Sequence, residues 1–191
     1  MIYKLNIQDV AVKQLESAIW MFAYDYDEVA VHTIAAAAFE LLTDRLKIIN
    51  FKEDMKKSIK PEKHKEFLAL WNKPYNFFKH GQHNYESLEE ITYNEDTVQI
   101  LLYIASEANL MGVETYRLKS AQMFKLFYLM NNVEMVEPDA YEKWYKDAIE
   151  KLNYTPEQMQ SKETLKVMLE LGGHKFLSGS KSPYSKMPGE L

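Results

Sequence analysis

Asn72, Asn76 and His80 recur at every fourth position, and a helix turning by about 100° per residue carries all three on one line. Lys79 adjoins His80, rotated away from it by about 100°, and Gly81 follows as a stop signal. A histidine exchanges a proton near neutral pH, a carboxamide orients a polar group, and an ammonium balances developing negative charge. The set suits recognition of a polar ligand or acid/base chemistry on one. His80 is the catalytic candidate, and Asn72, Asn76 and Lys79 are ligand-binding candidates. The bland alternative stays open: His80 caps a helix C-terminus, and Asn76 satisfies carbonyls freed by Pro74.

A second polar line, Thr33, Glu40 and Asp44, lies on another helix, with His32 two turns before Glu40 and rotated by about 80°. A carboxylate in so apolar a helix needs a partner. Glu40 is therefore either a structural hydrogen-bond hub or, with His32, part of a ligand-binding site facing the first line. If both readings are functional, the two polar lines confront each other across a groove. A metal site from His80 and His83 with His32 or Glu40 is disfavoured, because Gly81 separates the first two and no HExxH run exists. No metal and no cofactor are expected.

The elements that must position these residues are helical throughout. Gln8 to Tyr24 carries Val12, Leu15, Ile19 and Phe22 at helical spacing. The acidic run Asp25 to Glu28 then caps the next helix, Glu28 to about Asn50, whose apolar face is broad enough to imply burial on most sides. Phe51 to Lys65 holds six lysines and is expected as a solvated basic connection. Pro61 opens the helix that bears the Asn72 to His80 line, and Pro74 interrupts it. Gln82 to Tyr93 is expected as a loop. Asn94 caps a helix ending at Met111 and Gly112, and Thr115 to Asn131 is another, apolar nearly all round and so central or interfacial. Pro138 begins a helix with the stripe Tyr141, Trp144, Tyr145, Ala148 and Leu152. Thr155 to Gln158 is a capping box that starts a last helix running to Gly172 and Gly173. The class is all-α, one domain over 1–172 with a Ser/Gly/Pro/Lys tail over 173–191.

Composition narrows the function classes. At 191 residues, 47% of them hydrophobic, the chain suits a single globular domain. The absence of cysteine excludes disulfides, thiol catalysis and thiolate metal sites. The start, Met1 to Asn6, does not read as a secretory signal, and no apolar run is long enough to span a bilayer, so a cytoplasmic protein with no membrane partner is expected. The formal net charge of -5 and the scarcity of arginine, only Arg45 and Arg117, argue against a large nucleic-acid surface but not against a nucleotide pocket.

Val31 to Leu42, Asn76-Phe77-Phe78-Lys79-His80 and, more loosely, the aromatic helix Phe124 to Tyr128 resemble stretches of a group of bacterial helical proteins and, more distantly, the HEPN superfamily. The resemblance covers about residues 8–132. It implies an up-and-down helical bundle with additional C-terminal helices, usually a homo-oligomer paired near the motif, with a nucleotide or RNA as partner. Ribonuclease members place an Arg before the motif His, with a polar residue directly after the Arg. His80 would then be the acid/base and Asn76 the polar neighbour, while the Arg position holds Tyr75. RNA cleavage needs a cation for the charge developing on phosphorus, and tyrosine supplies none. The expected function is therefore a non-catalytic binding or interaction module, with a metal-independent ribonuclease of toxin or defence type using His80 as the alternative.

Overall fold

A computed structural model describes residues 5–46, 51–71, 93, 95–139, 142 and 155–173 of the chain. It is mostly helical, as the periodicity predicts, and the described residues form no sheet, only isolated bridge positions such as the pair Ile59 and Val136. No described helix is long and apolar enough to cross a membrane.

Helix α1, Ile7–Ala23, begins at a reciprocal capping box: the Asp9 amide donates to the Asn6 side chain at 2.8 Å, and the Asn6 amide donates to the Asp9 carboxylate at 3.1 Å. Val12, Leu15, Ile19 and Phe22 are buried as their spacing requires. Helix α2, Glu28–Leu46, starts where the Asp27 carboxylate accepts from the Ala30 amide at 2.9 Å. Val31, Ala35, Ala38 and Leu42 form its buried stripe, and α2 packs along both α1 and the later α5.

The stretch expected as a basic connection instead contains helix α3, Phe51–Lys57. Phe51, Met55 and Ile59 recur every fourth residue and are all buried. The six lysines between Phe51 and Lys65 hid that stripe from a reading of composition. A 3-10 turn, Pro61–Lys63, leads into helix α4, residues 64–71. The tip between α3 and α4 is held from beyond α6: the Lys60 amide donates to the Met135 carbonyl at 2.9 Å, and the Glu137 amide donates to the Ser58 carbonyl at 3.1 Å. His64 Nε2 lies 3.0 Å from the Lys56 carbonyl and 2.8 Å from the Ile59 carbonyl. Two acceptors require that this nitrogen carry the hydrogen.

Helix α5, Glu95–Met111, and helix α6, Lys119–Asn131, complete the central bundle. The helix predicted from Thr115 is replaced at its start by a 3-10 turn, Glu114–Tyr116. Buried Asn109 is the cause: its side chain donates to the Tyr116 carbonyl at 2.9 Å and accepts from the Leu118 amide at 2.9 Å, taking backbone groups a longer helix would need.

The predicted last helix is also divided. Helix α7, Pro156–Met159, keeps its Thr155 capping box, but Ser161 caps a separate helix α8, Lys162–Met168, which ends in a π turn, Leu169–Gly173.

Helix directions follow from what the ends share. Glu28 and Val31 of α2 border one cavity with Glu95 and Val98 of α5, and Leu41 and Leu42 border another with Asn109 near the end of α5, so α2 and α5, which pack together, run parallel. The stacked rings of Tyr103 and Tyr128, 4.2 Å between centroids, and the Asn109–Leu118 bond make α5 and α6 antiparallel. Two antiparallel hairpins, α1–α2 and α5–α6, are thus joined by a long crossover that includes α3 and α4.

Candidate functional site

The catalytic candidate His80 and the ligand-binding candidates Asn72, Asn76 and Lys79 lie outside the described residues. His32 and Glu40 lie within them. Glu40 is half-buried, while Thr33 and Asp44 of the same line are exposed, and the Thr33 hydroxyl donates to the Val29 carbonyl of its own helix at 2.7 Å. This is the ordinary back-bond of a threonine on a wet helix face. The line points outward because Val31, Ala35, Ala38 and Leu42 already occupy the face turned toward α1 and α5.

His32 belongs to a different face. It is 1% exposed and stands seven residues, two full turns, from Phe39, which is also buried. Tyr93 meets the imidazole edge-on at 5.6 Å and donates its hydroxyl to the Glu28 carbonyl at 3.1 Å. Burial pushes the His32 pKa down to about 4. The ring is neutral at physiological pH and packs as part of the buried face, not as a store of charge. Burial first, and then the Glu28 and Asp27 charges, raise the Tyr93 pKa above its usual value.

Phe39, two turns on, holds the other end of the same stretch. Trp71 packs on Phe39 at 5.6 Å, on Phe67 at 6.1 Å and on Phe51 at 6.2 Å, in a cluster of near-perpendicular rings. Trp71 is the last described residue before Asn72, and Tyr93 is the first after His80. One face of α2 therefore receives Trp71 and Tyr93, the described residues on either side of residues 72–92, the span that includes the polar line.

A concavity that the sequence did not reveal lies at the α1–α2 corner. It is a cavity of about 110 Å³ bordered by Phe22, Asp25, Glu28, Glu95 and Lys162 among others. Lys162 donates to Asp25 at 2.9 Å, reaches Glu95 at 3.1 Å and lies 4.4 Å from the centre of the Phe22 ring. Burial pulls the Lys162 pKa down, and hydrogen bonds to the two carboxylates more than offset this, leaving it raised. The hydrogen bond from Lys162 lowers the Asp25 pKa. The three partners lie on α8, the α1–α2 turn and the first residue of α5, so no local spacing could have joined them.

The third polar cluster is internal. Lys125 of α6 is ion-paired with Glu107 of α5, both nearly buried, and the Tyr103 hydroxyl donates to the same carboxylate. Burial, with the Glu107 charge next, raises the Tyr103 pKa well above its ordinary value. One signal was present in the sequence: Glu107 and Lys125 each interrupt a strongly apolar run on neighbouring helices, and opposite charges so placed are expected to pair. Such a pair already has its compensating charge and is poorly suited to act on a substrate. No protein-family model, curated protein or solved structure matches the chain.

Proposed function

We propose that the protein is a non-catalytic helical binding module of the HEPN-like kind, acting as a homo-oligomer. It takes a nucleotide or a similar polar ligand between α2 and the stretch from Asn72 to His80. The observation that supports this reading is that Trp71 on Phe39 and Tyr93 on His32, both on one face of α2, bracket residues 72–92, the span that includes Asn72 to His80. A site needs its polar groups backed by rigid packing, and these two anchors fix the chain on either side of the span that holds them. In this reading Asn76 and His80 bind the ligand, with Glu40 at the edge of the site.

The ribonuclease alternative leans on the lysines between Phe51 and Lys65. Three of them are already paired: Lys56 with Glu53 at 2.8 Å, Lys57 with Asp54 at 2.6 Å, and Lys63 with Glu66 at 2.8 Å. Paired lysines offer a weaker field to phosphates than the sequence count suggests.

The deciding experiment titrates the protein with adenine and guanine nucleotides calorimetrically, and separately incubates it with mixed RNA in EDTA. The expected result is saturable nucleotide binding, weakened at least about tenfold by His80→Ala, with the RNA left intact. RNA cleavage by the wild type and not by His80→Ala would establish the alternative. Absence of any nucleotide binding would overturn the binding reading.

A further inference from the structure

We propose that residues 155–173 form a strap that opens and closes over the α1–α2 corner as one unit, with its closure set by ionic strength. The observation is a division of labour between the two sides of α8. Its underside, Leu165, Met168 and Leu169, is buried where α8 and the π turn pack on α1 and α6. Its rim is charged and meets the corner at several points. Lys162 joins Asp25 of the α1–α2 turn to Glu95 at the start of α5, and Lys166 approaches Asp25 at 3.9 Å. Lys166 also lies 5.5 Å from the Tyr24 ring centre, and the Tyr24 hydroxyl donates to Glu170.

The two sides have different physics. Apolar burial is indifferent to salt at moderate concentration, and it keeps the strap docked most of the time. The rim pairs are partly solvated, with the Asp25 side chain 62% exposed and that of Lys162 24% exposed, so added ions screen them. Asp25 shows how closely the turn is fitted to the strap. It is the one non-glycine residue with positive φ among the described residues, at 55°, and its carboxylate receives both lysines. When the strap lifts, the ammonium leaves the Phe22 ring, and the cavity bordered by Glu28, Glu95 and Val98 opens to solvent.

Salt therefore acts on the rim and not on the central bundle. The test is amide hydrogen exchange on the full chain at neutral pH, in about 20 mM and about 1 M NaCl, where the screening length falls to about 3 Å. Amides from Leu165 to Leu169 are expected to exchange about tenfold faster in high salt, while Leu101 and Leu102 of α5 are unaffected. Lys162→Met keeps the length and apolar stem of the side chain. It should give the fast rate already in low salt and abolish most of the salt response, as should Asp25→Asn, which still tolerates positive φ. Strap exchange that ignores salt in the wild type overturns the proposal. So does a full salt response in Lys162→Met, or strap amides that exchange only at the rate of α5.

Discussion

The edge of the Tyr93 ring rests on the imidazole of His32 with centroids 5.6 Å apart and planes inclined at 68°. This contact fastens the chain just ahead of α5 to the first turns of α2, at the end where α2 and α5 start side by side. It also seals a titratable ring inside the bundle, so that one contact links the topology to the pH response.

His32 has a pKa near 4 in the folded protein against 6.5 as an ordinary histidine. The unfolded chain therefore binds the extra proton first. Above pH 6.5 the ring is neutral in both states and contributes nothing. As pH falls from 6.5 to about 4, the unfolded state is favoured progressively, by roughly 3 kcal/mol when complete. Urea denaturation of wild type and His32→Leu across this window should show the wild type losing more stability as pH falls, with the difference constant above pH 7. Parallel curves would mean that the ring is not sealed.

Phe39 is the common contact of Phe51 and Trp71. Phe39→Ala should cost about 3–5 kcal/mol, and Phe39→Leu should cost clearly less, because most of the volume is kept. If Trp71 anchors the flank of a ligand site, Phe39→Leu should also weaken nucleotide binding more than an equally destabilising substitution in α6. Calorimetric titration of the two variants checks this.

Glu107 and Lys125 should behave as a pair. Glu107→Ala or Lys125→Ala alone should cost about 3–5 kcal/mol by stranding the other charge. The combination Glu107→Leu, Lys125→Met, with Tyr103→Phe to remove the orphaned hydroxyl, should recover most of that loss. Equilibrium denaturation of the single and combined variants provides the cycle, and additive losses would contradict the pairing.

Asn109 closes the α5–α6 connection through two backbone bonds of 2.9 Å, to the Tyr116 carbonyl and from the Leu118 amide. Asn109→Ala leaves the buried Leu118 amide without its acceptor and should cost about 2–3 kcal/mol. Asn109→Asp restores that acceptor but not the donor to Tyr116, so it should recover only part of the loss near neutral pH. Thermal melts of the two variants test the order.

Local rules in the chain were enough to determine the all-α class, the capping box at Thr155, the carboxylate cap of α2, and the buried stripes of α1, α2 and α5. Each depends only on neighbours within a turn or two, where side-chain periodicity and cap chemistry are legible. The α3 stripe was equally local, yet six lysines outweighed Phe51, Met55 and Ile59 in a reading by composition. Tertiary structure alone decided that α2 and α5 run parallel, that Lys162 joins Asp25 to Glu95, and that His32 is sealed against Tyr93 while Glu40, two turns away, is only half-buried. Those pairings join residues up to 137 positions apart. Their energies depend on burial and on which helix faces meet, and neither is written in the spacing of the residues themselves.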